Sequence, residues 1–490
     1  MAVSGLDAAE GVAAAAGDPV PRPPANTRLV ALIVASALLM QNLDSSVIAT
    51  ALPTMARELG TEPLHLSAAI TSYLVALTVF IPVSGWVADR FGAKRVFMAA
   101  IAVFAFASML CGLSRGLGEL VASRVLQGLG GAMMVPVARL LLMRRIRPEE
   151  MVRATTWLSM PGLLGPILGP PIGGLLTDNV SWRAVFWINL PIAAIGLLMV
   201  WRFVPASDEA RPPRLDLVGV TLIGASLAAL MFGAETVGRG VVPEWLSVLG
   251  FALGVALGWA AVRWARRAPH PALDLGLFSI PTFAVGVGAG SLFRVGAGAA
   301  PFLLPLFLQL GFGASATVSG MVTLATALGA FTMKPMTTSA LRHFGFRNVL
   351  TWNAVVVAVT LAACSAFDPS WPLAAVFVVL AAGGLARSLQ FTASNAMSYV
   401  DIPAGKLSAA TSIAGTAQQL SMALGVTWGA SWLAASAALA GRAEPGVPDF
   451  AMAFLGAALP PLLAAPFAAR LPQDAGAAAS GHGRGGAAQG

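Results

Sequence analysis

One acid and five bases lie inside the long apolar runs of this 490-residue chain, away from the charged residues at the ends of the runs. The acid is Asp44; the bases are Arg124, Arg139, Arg294, Lys334 and Arg387. A charge at the centre of a hydrophobic layer costs about 2.5–3.5 kcal/mol on insertion scales, so it needs a partner or a polar cavity. The chemistry open to such a set is proton exchange and ion recognition. A guanidinium favours the charged form of a nearby carboxylate, and a low-dielectric wall favours the neutral form. A carboxylate held between the two gains and loses a proton as its surroundings change. At about 1.5 Å per residue, Asp44 lies about 24 Å along a helix from Arg28. Arg124, reached from the other side, lies about 20 Å above the same face. The two reach similar depth and are expected to form a proton-coupling pair, with Asp44 as the protonation site. A structural salt bridge, or a polar kink at Asp44-Ser45-Ser46, is the competing reading.

The second half has no deep acid. Its cations Arg294, Lys334 and Arg387 stand with Gln309, Gln390, Asn395, Gln418 and Gln419. Together with Gln41, Asn42 and Gln127 of the first half, these are the expected lining of a substrate cavity. Pairing with carbonyls, or snorkelling for Lys334, is the alternative. Pro301, Pro305 and Pro335 suit bent helices around a cavity. Three cations attract anions, so a carboxylate or metal–carboxylate chelate competes with a cationic drug as substrate.

Nothing points to bond-making chemistry. His65, His270, His343 and His482 fall in loops or a tail, and no Ser–His, His-Glu-x-x-His or Gly-x-Gly-Asp constellation occurs within the apolar runs. No Gly-x4-Gly-Lys-Ser/Thr run offers a phosphate loop. Cys111 and Cys364 read as small buried hydrophobes rather than a disulfide. Neither an enzyme, a metal, a cofactor nor ATP is expected. A non-transporting membrane sensor remains a second alternative, although no appended soluble domain is there to carry a signal.

These side chains need elements that cross a membrane. The chain is 57% hydrophobic and 11% charged, against about 25% charged in soluble domains. Its apolar runs are long and lack period-two alternation, which selects helices over a barrel. Spans are expected at about 28–53, 65–88, 94–113, 117–142, 152–177 and 182–204. A central pair follows at about 215–235 and 243–265. The last six lie at about 279–310, 315–340, 346–367, 371–396, 406–435 and 449–469. The domains are then a disordered tail over 1–27, a six-helix bundle over 28–204 and a two-helix insertion over 205–270. A second six-helix bundle over 271–470 and a disordered tail over 471–490 complete the chain. The pI near 10.6 is no nucleic-acid signature, because the bases cluster between spans. With both termini inside, inner loops and tails hold about 20 of the 30 Lys and Arg, and outer loops about five.

Span 2 ends Gly85-Trp86-Val87-Ala88-Asp89-Arg90-Phe91-Gly92-Ala93-Lys94-Arg95, and span 10 runs into Arg342-His343-Phe344-Gly345-Phe346-Arg347. Both turns carry Phe-Gly with a base two residues on, as expected of two related bundles around a midplane site. Gly92 permits a tight turn. Asp89 can cap a neighbouring helix, and the bases can hold carbonyls or acids. Arg342 replaces the acid in the second turn, so the two gates cannot be symmetric. Span 5 carries Gly162, Gly165, Pro166, Gly169, Pro170, Gly173 and Gly174. Its glycines strip a helix face bare for close approach, and its prolines bend the helix. Topology-setting charge and generic small-residue packing are the plainer readings of the two motifs.

The span 2 turn resembles the loop 2–3 signature of the major facilitator superfamily. The span 5 run resembles the antiporter motif of its proton-driven exporters, and Arg124-Val125-Leu126-Gln127-Gly128 resembles its span 4 signature. Leu43-Asp44-Ser45-Ser46 through Pro53 and Ser181-Trp182-Arg183 through Pro191 are similar to the fourteen-span drug:proton antiporter subfamily. The resemblance covers about 28–470 and implies an all-α major-facilitator fold: two six-helix bundles plus two inserted helices. It implies proton-coupled export of drugs or other small organic molecules by alternating access. Gly85, Asp89, Arg90, Gly92, Lys94 and Arg95 would be the inner gate, and the span 5 residues the flexing element. The expected partners are the substrate, protons and the lipid bilayer of a bacterial inner membrane, with both termini cytoplasmic. A monomer suffices, and a periplasmic or outer-membrane partner stays open.

Overall fold

The computed structural model describes residues 27–482 except 62, 145, 147, 206–213, 237–241, 315 and 443–444. Among them every regular element is a helix. The expected N-terminal tail up to residue 26, and residues 483–490 of the C-terminal one, lie outside the described residues.

The first bundle opens with α1 (Thr27–Glu58). Its second span is broken into α2 (Pro63–Phe80), a 3-10 turn at Ile81–Val83 and α3 (Ser84–Phe91), with Pro82 removing a backbone donor at the break. α4 (Ala93–Leu113) and α5 (Leu117–Met143) follow. The fifth span is broken in the same way: α6 (Met151–Ser159), a 3-10 turn at Pro161–Leu163 and α7 (Leu164–Asn179). α8 (Ala184–Trp187) and α9 (Asn189–Phe203) make the sixth. At that end of α1, Glu58 accepts from Trp182 Nε1 at 2.8 Å and Arg183 Nη1 at 2.9 Å. These two donors hold its carboxyl below the usual range.

The central pair is α10 (Leu217–Thr236) and α11 (Glu244–Ala265). The second bundle holds α12 (Pro281–Leu306), α13 (Ala316–Ala363), α14 (Leu373–Met397), α15 (Leu407–Leu439) and α16 (Val447–Ala468). Past Pro305, α12 widens into a π-turn at Phe307–Gly311, a common outcome where the backbone ladder is interrupted. Among the described residues, twelve helical stretches are long and apolar enough to cross a membrane. One of them, Val318–Ala366, contains two crossings, because Gly345 at φ 73° breaks the helix geometry inside α13. A further crossing, α6 with α7, is cut at Pro161 into pieces too short to span alone. Fourteen spans result.

Lipid offers helices no hydrophobic reason to associate, so close packing of small residues has to hold them. α12 meets α15 in this way: a Cβ on Gly298 would lie 2.8 Å from the Met422 carbonyl oxygen. α10 packs on α11 and on its other side touches both α2 and α15, with Thr427 Oγ1 donating to the Ala234 carbonyl at 3.2 Å. The inserted pair thus covers the seam between bundles, and α11 shows Trp245 and Trp259 outward.

Residues 471–482, expected to be disordered, instead fold back onto the helix ends. α17 (Ala477–Ser480) packs against α13 and α6, and His482 Nδ1 lies 2.9 Å from the Arg342 carbonyl oxygen. The Gly/Ala composition that suggested disorder also makes this docking cheap, since small side chains lose almost no rotamer freedom.

Candidate functional site

Five helices of the first bundle converge on Asp44, which is buried. Arg124 Nη1 on α5 donates to its Oδ2 at 2.6 Å. Gln127 Nε2, one turn further along α5, and Asn189 Nδ2 at the start of α9 each donate to Oδ1 at 2.9 Å. Ser108 Oγ on α4 accepts from the same two amides at 2.7 and 3.0 Å. α2 completes the set: the Ala69 carbonyl accepts from Arg124 Nε at 3.2 Å, and the Tyr73 ring lies 4.4 Å from the guanidinium carbon. The carboxylate is thus matched by one cation and two amide donors, as an ion pair in a low-dielectric interior requires.

The span 5 glycines press on the helix that carries this acid. A Cβ on Gly165 would come within 2.7 Å of Asn42 and of the Leu43 nitrogen, and one on Gly162 within 3.0 Å of Asn42 Nδ2. Gly169 meets Ser46, and Ser46 Oγ donates to the Gly165 carbonyl at 2.9 Å. Gly162, Gly165 and Gly169 are therefore one seam against α1. A Cβ on Gly174 would meet nothing within 4 Å, Gly173 is buried, and Pro166 and Pro170 belong to the backbone of α7.

Beside the acid lies a cavity of ≈ 530 Å³ between the two bundles. Four cations line it: Arg294, Lys334 and Arg387, together with Arg139, which the sequence placed in a span without a role. Among the described residues, no carboxylate lines it. Lys334 does not snorkel: it is buried, with Nζ donating to Ser159 Oγ at 2.7 Å and Thr392 Oγ1 at 2.9 Å. Arg294 Nη2 donates to Asn395 Oδ1 at 3.0 Å, and its guanidinium stands over Phe391. Arg387 donates to the Gly383 carbonyl and Thr326 Oγ1, both at 3.2 Å. Arg139 reaches Tyr399 Oη at 3.2 Å and Gln418 Oε1 at 3.4 Å. Four buried polar atoms of lining residues, Gln41 Oε1, Tyr73 Oη, Thr155 Oγ1 and Arg294 Nε, have no protein hydrogen-bond partner. Buried polar groups are normally paired, so these atoms are open to water or to a polar guest.

Gln41, Asn42, Asn395 and Gln418 line the cavity as the sequence suggested. Three assignments need correcting. Gln127 is fully buried in the Asp44 network. Gln309 sits exposed in the π-turn. Gln390 is buried on another face of α14, donating to the Leu350 carbonyl and accepting from Asn353, both at 3.0 Å.

At one end the bundles are tied together. Asp89 Oδ1 accepts from Arg144 Nη2 at 2.5 Å, and Oδ2 accepts from Ser408 Oγ at the start of α15. The Gly85 N–H donates to Ser412 Oγ at 2.8 Å, and a Cβ on Gly85 would come 2.5 Å from the Ser408 carbonyl oxygen. Gly92 turns the chain at φ 85°. Lys94 Nζ donates to the Trp201 carbonyl at 2.9 Å, in the last turn of α9. Arg90, one residue past Asp89, is rotated about 100° around α3 and stands with Arg95 at the mouth of an outer groove.

A family model described as Major Facilitator Superfamily matches residues 34–426. The chain belongs to the major facilitator superfamily. Among its relatives are the "Putative multidrug resistance protein MdtD" of Pectobacterium atrosepticum and that of Klebsiella pneumoniae strain 342. Each is 37% identical, over 82% of this chain and 86% of the relative. The fold matches the human organic anion transporter MFSD10 at TM-score 0.63 and 18% identity, over 91% of this chain and 100% of that one. It matches the proton:xylose symporter XylE at TM-score 0.65 and 16% identity, over 92% and 97%. Superfamily members are membrane transporters rather than enzymes, which fits a site holding a carboxylate and a cavity but no reacting group.

Superfamily resemblance alone did not disclose Ser108, Asn189 or Tyr73 as neighbours of Asp44. Asn189 stood in a quoted motif, and its polarity within an apolar run was the available signal. Ser108 and Tyr73 offered none. Arg139 had the signal of any charge inside a span.

Proposed function

We propose that this chain is a proton-coupled exporter of small organic molecules that works by alternating access. The observation that carries the reading is the Asp44 carboxylate, held by Arg124, Gln127 and Asn189, on the helix that lies against the α7 glycine seam. A carboxylate that loses its charge releases three donors at once, and α1 is then free to shift along the bare face of α7. Asp44 would take up the proton, with Arg124, Gln127 and Asn189 holding the charged form. The relatives' multidrug-resistance name supports export and a broad range of substrates. We place both termini on the cytoplasmic side of a bacterial inner membrane, and the bundles over 28–204 and 271–470 with the pair at 205–270 between them. The direct test is reconstitution in proteoliposomes. Substrate moving out of acid-free vesicles into an acidic medium should carry protons inward. Substrate flux with no accompanying lumenal pH change would contradict coupling.

The Asp89 contacts are proposed as the cytoplasmic gate, with Gly85, Gly92 and Lys94 shaping it. Asp89→Asn removes the charge from two hydrogen bonds, each charge-assisted bond contributing about 1.5–3 kcal/mol. A shift of about tenfold or more toward inward-open states is expected. It is read as faster cytoplasmic labelling of a Thr155→Cys probe in a background with Cys111→Ala and Cys364→Ala. Unchanged labelling would remove the gating role.

The cavity favours a second reading of the cargo: an organic anion or a metal–carboxylate chelate. Four cations, with no carboxylate among the described lining residues, make a field that attracts anions and repels cations.

A further inference from the structure

The four cavity cations divide by the bundle in which each finds its partners. Arg294 and Arg387 donate within the second bundle, to Asn395 on α14 and to the Gly383 carbonyl and Thr326. Arg139 and Lys334 reach across. Arg139 on α5 donates to Tyr399 Oη at 3.2 Å and to Gln418 Oε1 on α15 at 3.4 Å. Lys334 on α13 donates to Ser159 Oγ on α6 at 2.7 Å, as well as to Thr392 Oγ1 of its own bundle. Each tie therefore runs from a cation of one bundle to a neutral oxygen of the other, and the two run in opposite directions. Both lie toward the closed end. Arg139 is about 6 Å before the end of α5, and Ser159 about 12 Å into α6 from the same side. Arg144, which holds Asp89, caps that end of α5.

We propose that Arg139 and Lys334 are positioning residues of a second closure, set between the cavity and the Asp89 contacts, which draws the bundles together through bonds from cations to neutral oxygens. A buried charge has to keep a polar partner, so parting the bundles obliges both cations to find new ones. In a cavity open to the cytoplasm those are water or cargo. The consequence concerns direction, and it rests on the export reading with an anionic cargo. With that side open, Arg139 and Lys334 join Arg294 and Arg387 in facing the cargo. Closing beneath the cargo engages them with Tyr399, Gln418 and Ser159, so fewer of their donors are left to it. Affinity falls as the cavity turns outward, which is the sense an exporter needs. By reciprocity, bound cargo holds the carrier open to the cytoplasm.

The test uses the full chain in lipid nanodiscs and needs neither cargo nor a proton gradient, so its outcome and that of the export reading are separable. Spin labels go on Phe91→Cys at the end of α3 and Gly405→Cys just before α15, with Cys111→Ala and Cys364→Ala. Both label positions are exposed, and a Cβ on Gly405 would meet nothing within 4 Å. Pulsed dipolar spectroscopy then counts closed and inward-open molecules. Lys334→Met should raise the inward-open share about tenfold, the worth of one bond from a charged donor. Ser159→Ala, which removes a single hydroxyl, should raise it equally, and the two together no further, because they break the same bond. Thr392→Ala takes a partner from Lys334 inside its own bundle and should leave the share unchanged. Tyr399→Phe should raise it about threefold, its bond being the longer one. Ser159→Ala carries the result even where Lys334→Met folds poorly. An unchanged share in Ser159→Ala would overturn the closure. So would additive effects of the Lys334 and Ser159 variants, or a shift in Thr392→Ala as large as that in Ser159→Ala. An unaltered share in Tyr399→Phe would remove Arg139 from it.

Discussion

Asp44→Asn should reach the membrane and lose gradient-driven export down to the level of empty vesicles. The substituted amide keeps the size of the acid but only one acceptor oxygen and no charge, so either Arg124 Nη1, now at 2.6 Å, or the amides of Gln127 and Asn189 would face a donor. Removing one member of a buried pair costs about 3–5 kcal/mol, because the partner charge is left uncompensated. A lowered thermal midpoint is expected as well, and must be separated from the loss of coupling. Asp44→Asn with Arg124→Gln makes that separation, because it also removes the uncompensated charge that makes the single variant costly. The double variant should regain much of the midpoint while export stays abolished. If the single Asn variant still concentrates substrate against its gradient with wild-type pH dependence, Asp44 is not the coupling residue.

The second large effect concerns charge. For two ligands alike except in sign, the anionic one should bind at least tenfold tighter. Arg294→Gln should remove most of that difference. Arg294 is buried, and its Nε is left without a partner on the cavity wall. Truncating one side of such a contact typically costs 2–5 kcal/mol, about thirtyfold or more in affinity. Arg387→Gln should cost less, since its guanidinium is already shared with the Gly383 carbonyl and Thr326. Tighter binding of the cationic ligand, untouched by either substitution, would sink the anionic reading and leave the multidrug one.

Depth was readable in the sequence because the helical rise is fixed: counting residues from each face brought Asp44 and Arg124 to one level, and they meet there. The number of spans followed from hydropathy for the same reason, including the crossing that Pro161 breaks. Azimuth was not readable. Gln390 and Asn395 are five residues apart, which turns them about 140° from each other on α14. One faces the cavity and the other faces Asn353 on the neighbouring span. Gln127 carried a usable clue, since three residues from Arg124 it shares that residue's face. Ser108 and Asn189 arrive from separate helices, and nothing local in an apolar run says which way a lone serine points. The residues after 470 misled through composition, because a Gly/Ala-rich segment reads alike whether it is free or lies in a narrow groove.

Tyr73 carries the Arg124 guanidinium on its ring and also lines the cavity, while Asp44 and Arg124 lie outside the cavity lining. On the proposed function, proton and cargo would lodge in adjacent compartments with the Tyr73 ring between them. Two passengers that never contend for the same atoms would then be exchanged through the shape of the carrier. Such a machine tolerates cargo of many outlines without retuning its fuel site. Its characteristic failure is slippage: with the partition thinned, protons would run down their gradient while the cargo stayed behind.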